Sequence, residues 1–417
     1  MFVVMALVTT VATTPLTTVL YPSWYQTKLE AWKRGEIDWD GNHLFPEHES
    51  KQDSLEKLQS TSVRKLLVYL RLDSLPSLFT FVALLGGEEL VKPALQVHGL
   101  RMLELTERTS SVMKSSEADE YTVRDPVVSA FRTFAQLNHV AVSGDVSVVP
   151  ESSYAETIIG KASDMSSDLV LIPWSETGMI SEGDQPYFLP EIHSTDRFAN
   201  GPQMSFMRTV LDAARCNTVV FINRGFGPVL AHDSRSLQRT ISGLSIHHKV
   251  AVSPVTDLKR HVFFPFFGGP DDRVALRLVL QLAHSTSISA TIIQVRTLDV
   301  SSPMSSEDAS FLYSLRDSLP SELSTRVAFI ENSTASNIAT WFETNEVSSS
   351  PKIGDLIIVG RRKGSSHVVT DHLASMSSGS ELRRTLGPTA ECIISAGAKA
   401  SLLVVQAALP SASGPSH

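Results

Sequence analysis

The sequence predicts an α/β protein of two tandem five-stranded parallel-sheet units, preceded by one transmembrane-type helix. Three observations carry this. From Lys65 onward, short runs rich in Val, Ile and Leu alternate with helix-length amphipathic stretches, the rhythm of a parallel sheet covered by helices. The rhythm lapses after Gly225 and restarts near Val262, and the halves share words: SDLVLIPW at 167–174 matches GDLIIVGR at 354–361. Asp168 and Asp355 each open a fourth strand, 187 residues apart, so a five-stranded unit is duplicated. Finally, no charged residue stands between Phe2 and Tyr21, about the length a helix needs to cross a bilayer.

In chain order, residues 1–22 come first. Threonine pairs at Thr9–Thr10, Thr13–Thr14 and Thr17–Thr18 recur every four residues and share one helical stripe. With Pro15, they suit a helix packed within a bundle better than a lone anchor. A signal peptide would carry Lys or Arg ahead of the apolar run, and none is present; a buried soluble helix is the other reading. Tyr21, Trp24 and Tyr25 then Lys28, Lys33 and Arg34 place the C-terminal side in the cytosol.

Residues 23–62 read as a linker, since their polar second part has no sustained apolar period. The first unit, 63–228, has expected strands at 66–70, 95–103, 140–149, 169–173 and 218–223, with helices near 76–85, 124–137, 154–166 and 204–214. A second linker covers 229–258. The second unit, 259–408, has expected strands at 262–267, 290–295, 326–330, 356–359 and 402–405, with helices near 271–284, 306–317, 335–344 and 380–395. Residues 409–417 read as a disordered tail.

Composition excludes several functions. With 36 basic against 44 acidic residues the net charge is −8, which provides no field for a phosphate backbone, so no nucleic-acid partner is expected. Cys216 and Cys392 alone can build neither a disulfide framework nor a cysteine-rich zinc site, which points to a reducing, cytosolic setting. The chain lacks GxGxxG after a strand, GxxxxGK[ST], HExxH and GxSxG. His247 and His248 are adjacent and so do not converge on a metal as i, i+4 residues do. No enzyme activity, metal or cofactor is expected, and Trp174 and Trp341 read as packing residues.

Ligands of open α/β sheets sit beyond the carboxyl ends of the strands, so those loops hold the candidate residues. Gly268 and Gly269 let the backbone approach a partner, and the helix expected to start near Asp271 offers free amides. Asp271, expected as N-cap, and Asp272 already place carboxylates where an anion would go, so a capped tight turn is the competing reading. After the fourth strand of the second unit, Gly360, Arg361, Arg362, Gly364 and Ser365 could cradle a phosphate or an acidic segment, or form a solvated basic loop.

A series of phrases in order resembles a known family. FVVMALVTTVATTPLTTVLYP is similar to the last membrane helix of the cation:proton antiporters that include plant cation/H+ exchangers and fungal K+/H+ antiporters. GLRMLELTERTSSVM, AFRTFAQL, SDLVLIPW, ARCNTVVFINRG, FFGGPDDRVALRL, DLIIVGRR and ASLLVVQ resemble their cytosolic tail, and WKRGEIDWDG looks most like the fungal group. The resemblance implies two universal-stress-protein-like, Rossmann-like domains on the cytosolic side of a membrane. It also implies a regulatory, non-catalytic and dimeric role beside an exchanger membrane domain that handles K+ and H+. That core's ion-binding acidic residues and crossing helices have no counterpart in these residues. The alternative is a free-standing universal-stress-like nucleotide or small-ligand sensor. ATP-binding members carry G-x2-G-x9-G-[ST], whereas Gly360 and Gly364 have three residues between them, so weak or no nucleotide binding is expected.

Overall fold

The computed structural model describes residues 62–87, 95–106, 118–138, 140–182, 198, 201–227, 259–296, 306–334, 354–361 and 380–408. The expected membrane helix over 2–21, the two linkers save residue 62, the helix over 335–344 and the C-terminal tail lie outside the described residues. Among the described residues, no helix is long and apolar enough to cross a membrane.

All ten expected strands form: β1 (Lys65–Leu70), β2 (Gln96–Glu104), β3 (Ala141–Val149), β4 (Leu169–Pro173), β5 (Asn217–Ile222), β6 (Arg260–Phe266), β7 (Ile288–Arg296), β8 (Val327–Thr334), β9 (Leu356–Gly360) and β10 (Ser401–Gln406). They make one sheet in the order β3-β2-β1-β4-β5-β10-β9-β6-β7-β8. Each half is parallel with its own five strands in the same order, the doubly wound arrangement. Central strands are apolar on both faces because helices cover both: Leu66, Val68 and Leu70 enter one core, Leu67 and Tyr69 the other.

The first core layer lies under α1 (Leu75–Gly86), α3 (Pro126–Leu137), α6 (Pro270–Ala283) and α7 (Ser306–Ser318). The second lies under α4 (Tyr154–Asp164), α5 (Gly201–Ala213), α9 (Glu381–Leu386) and α10 (Pro388–Ser395). Among the described residues, α2 (Ala118–Arg124) and α8 (Ser321–Ser324) are short helices. Two expected helices are each split. The helix expected over 124–137 breaks at Asp125, whose carboxylate caps α3 by accepting from the amides of Val127 and Val128 at 2.9 Å each, ahead of Pro126. The helix expected over 380–395 breaks at Gly387, at φ 92°, followed by Pro388.

The halves meet through their fifth strands. β5 and β10 pair antiparallel over five residue pairs, from Leu402 with Ile222 to Gln406 with Thr218. The pair Val220–Val404 lies at the centre, so a local two-fold relates residues 184 apart. Hydrogen bonds obey the same symmetry: Arg224 N donates to Ser401 Oγ at 2.8 Å, and Ala408 N donates to Asn217 Oδ1 at 3.0 Å. The shared aspartates have a structural duty as well. Asp168 accepts from the amides of Arg64 (2.9 Å) and Lys65 (2.8 Å), and Asp355 accepts from that of His261 (3.0 Å), so each secures the first strand of its half to the fourth.

The seam is not confined to one ladder. Gln281 of α6 accepts from Val63 N at 2.9 Å and donates to Val63 O at 3.1 Å, tying the second half to the start of the first. Phe221 and Phe226 share a core with Phe264 and Val405. The described residues thus cluster as one compact unit.

Candidate functional site

The carboxyl ends of β6 and β9 bring together Gly268, Gly269, Asp271, Asp272, Gly360 and Arg361. Arg362, Gly364 and Ser365 lie outside the described residues. The expected N-cap is corrected here: α6 starts at Pro270, Gly269 is its N-cap at φ 97°, and Asp271 and Asp272 stand inside the first turn. Proline suits that first position, where its missing amide costs no helical bond.

The three turn amides are taken by carboxylates of this chain. Asp272, fully buried, accepts from Phe267 N at 2.8 Å and Gly268 N at 3.0 Å. Asp308 of α7 accepts from Gly269 N at 3.1 Å, and Asp271 accepts from Ala407 N at 2.8 Å. Gly360 makes room for this arrangement, since a Cβ there would lie 2.2 Å from Asp272 Oδ1. Asp272 thereby occupies the crevice between β6 and β9, the switch point where open sheets receive ligands.

Arg361, 3% exposed, reaches across the seam. It donates through Nε to Thr385 O at 2.8 Å, through Nη2 to Arg384 O at 3.2 Å, and through Nη1 to Asp212 at 3.1 Å and to Gln406. The guanidinium therefore holds the last carbonyls of α9 and a carboxylate of α5, which belongs to the other half. Its counterpart in the first half is Trp174: Trp174 N donates to Phe221 O at 2.7 Å as Arg361 N donates to Val405 O at 2.8 Å.

The sequence reading missed the corresponding crevice of the first half, which Arg71 fills. Its guanidinium grips both oxygens of Asp73 at 3.1 Å and donates to Ser175 Oγ at 3.0 Å and Ile180 O at 2.5 Å. Glu182 accepts from Leu72 N at 2.5 Å and from Arg101 at 2.8 Å, and Arg101 also meets Asp125 at 3.0 Å. Burial alone would lower the Arg71 pKa, but Tyr69, Asp73 and Glu182 around it hold it above its ordinary value. Burial pushes Tyr69 up to about 12, against the pull of Arg71, and raises Tyr154 further. The available signal was an arginine placed directly after a first strand, but its partners are scattered over more than a hundred residues.

These crevices contain fixed, mutually compensated charges. Among the described residues, no group of three His, Cys, Asp or Glu side chains could hold a metal ion. Cys216 is half-buried, with its thiol pKa raised by burial, which disfavours a reactive thiolate.

Comparison with known proteins agrees with the two halves. Residues 97–226 match the "Plant cation/H(+) antiporter domain" and residues 259–406 the "Plant cation/H(+) antiporter, C-terminal domain", together about two thirds of the chain. The chain is 26% identical over 303 residues to Cation/H(+) antiporter 18 of Arabidopsis thaliana, covering 70% of this chain and 31% of that protein. It is 24% identical over 273 residues to Cation/H(+) symporter 13 of the same plant, covering 63% and 28%. The chain thus spans less than a third of the length of these relatives. Among solved structures, a universal stress protein from Archaeoglobus fulgidus aligns with TM-score 0.44 at 12% identity, covering 82% of this chain and 96% of that one. The cytoplasmic domain of a prokaryotic cation chloride cotransporter aligns with TM-score 0.41 at 11% identity, covering 83% and 96%. In two successive stretches the chain is thus similar to domains described from plant cation/H(+) antiporters.

Proposed function

We propose that this chain is the cytosolic regulatory region of a monovalent cation/proton antiporter, with K+ as the cation, acting on a membrane domain without itself catalysing a reaction. The observation that carries the reading is the single ten-stranded sheet in which both family domains are embedded. K+ and the fungal group rest on the resemblance of WKRGEIDWDG, and attachment to the membrane on the uncharged stretch 2–21. Homodimer formation belongs to the same reading.

The seam shapes the mechanism. Motion of one half against the other would break the β5–β10 ladder and the Arg361 bonds, so the moving part is the sheet as a whole, pulling on the segment ahead of residue 62 and biasing the access states of the membrane domain. The test is to delete residues 60–417 from the complete transporter and measure K+/H+ exchange across pH. The expected outcome is altered transport and a changed pH dependence; transport and pH profile both unchanged would refute the proposal.

A further inference from the structure

His98 stands on β2, between β1 and the edge strand β3, with its side chain 7% exposed. Its Nδ1 meets Ser143 Oγ of β3 at 2.7 Å, whereas among the described residues no hydrogen bond reaches Nε2. That nitrogen lies 3.4 Å from Oδ2 of Asp145, which shares a face of β3 with Ser143, and the same oxygen is already bonded to Lys161 Nζ. A buried polar atom without a partner is costly, and this one faces a carboxylate. The missing component is a proton, since an imidazolium donates from both nitrogens and Nε2–H then has its acceptor in place. A second cation, Arg132 of α3, acts on the ring and donates to Gly144 O at 2.8 Å, while β1 sets Leu67 opposite His98.

Burial lowers the His98 pKa below 6.5 against the pull of Asp145, and Lys161 and Arg132 lower it further, so the ring is neutral at pH 7 and charges on acidification. Burial alone would raise the Asp145 pKa, but its bond to Lys161 and the charges of His98, Lys161 and Arg132 hold it below the ordinary value, so it stays ionised as His98 titrates. A charged His98 cannot leave the sheet, whereas Lys161 is 31% exposed on a flexible stem and can turn to water. Repulsion among three cations around one carboxylate is therefore relieved at the lysine. Lys161 stands in the last turn of α4, whose carbonyls fix the way into β4: Lys161 O accepts from Met165 N at 3.1 Å and Ala162 O from Ser167 N at 2.9 Å. Asp168 follows, and it is the residue that holds the amides of Arg64 and Lys65 where the chain enters the sheet.

We propose that the proton is the ligand of this cluster: protonated His98 takes Asp145, Lys161 is released, and the C-terminal turn of α4 loosens beside the point at which the chain enters β1. Its use as a signal rests on the regulatory reading, but the switch is a property of the isolated chain, so its failure leaves the transport test untouched.

The experiment is hydrogen exchange of the full chain, followed by mass spectrometry at pH 7.5 and 5.5 and corrected for the intrinsic pH dependence of exchange, with α5 as internal reference. The amides of residues 161–167 should open about two- to five-fold more at pH 5.5 relative to α5, the size expected for loss of a partly exposed ion pair. His98→Gln should lose this step. Lys161→Met should already exchange at pH 7.5 as the wild type does at pH 5.5, with no further step on acidification. A wild type whose residues 161–167 do not respond overturns the switch, and a step that persists in His98→Gln overturns His98 as its site. A further acid step in Lys161→Met overturns the exchange of partners. Should His98→Gln fail to fold, Lys161→Met, at a partly exposed position, decides by the same comparison.

Discussion

Replacing Arg361 by methionine isolates what the seam is worth. The substitution keeps length and apolar stem but removes every donor, leaving the carbonyls of Thr385 and Arg384, the Gln406 amide oxygen and the Asp212 carboxylate to find new partners. A lost hydrogen bond from a charged group weakens stability by about 1.5–3 kcal/mol, and breaking a buried pair by about 3–5 kcal/mol. Asp212 is 35% exposed, so water partly replaces its partner and the ionic part is small. The expected loss is therefore about 3 kcal/mol, arising mostly from the buried acceptors. Asp212→Asn, which leaves those acceptors served, should lose about 1 kcal/mol or less. The assay is urea denaturation of the full chain followed by circular dichroism, with m-values compared. Because Arg361 joins elements of both halves, the wild type should show one transition for the sheet. The reasoning fails if Arg361→Met shifts stability by less than 1 kcal/mol, or if the wild type melts in two steps of which only the second responds.

Two further outcomes follow from the packing at Gly360 and at the buried histidines. Gly360→Ala places a methyl 2.2 Å from the Asp272 carboxylate, so it should destabilise the chain by about 2 kcal/mol or more in the same assay, and a neutral effect would show that Asp272 does not fill the crevice. Burial lowers the pKa of both His98 and His261 from the ordinary 6.5; nearby Asp145 and Asp355 respectively oppose this, and Lys161 and Arg132 add to it at His98. With a folded pKa below the unfolded one, the stability these neutral rings contribute is fully present above about pH 6.5. It is lost as pH falls toward the folded values, at up to about 1.4 kcal/mol per pH unit for each ring. Urea midpoints at pH 7.5 and 5.5 should therefore fall on acidification, with a smaller fall in His98→Gln/His261→Gln; equal falls would reassign the effect.

The central strands were legible because each is an apolar run with both faces buried, a pattern that needs no knowledge of neighbours: 169–173 and its repeat 356–359 could be bounded within a residue. Helix breaks at Asp125 and Gly387 were missed because apolar spacing continues through them, and only the following prolines mark the cut. The site residues were half legible. Gly268 and Gly269 stood out as places where the backbone can approach a partner, but sequence cannot say that Asp308 is what crowds Gly268, that Asp272 crowds Gly360, or that Gly269 is needed for its positive φ of 97° alone. Arg361 carried the wrong connotation, since a basic loop after a strand suggests solvent or phosphate, while its acceptors lie up to 149 residues away. The Arg71 network is invisible for the same reason, with Ser175 and Ile180 more than a hundred residues off.

The local two-fold bears on how such a module could integrate signals. Strands run parallel within each half and antiparallel across β5 and β10, so the crevice filled by Arg71 opens at one end of the sheet and that filled by Asp272 at the other. A single ligand cannot span them, and any dependence of one on the other must pass through the seam. The symmetry is broken at one position there, Trp174 in the first half against Arg361 in the second. The tryptophan closes its own half by packing on Phe198, whereas the arginine takes its carboxylate from the opposite half. The wiring is therefore asymmetric: displacement at the β9 exit strains α5 of the first half directly through Arg361 and Asp212, while displacement at the β4 exit reaches the second half through the shared seam of the β5–β10 ladder, Gln281 and the Phe221–Phe226 core.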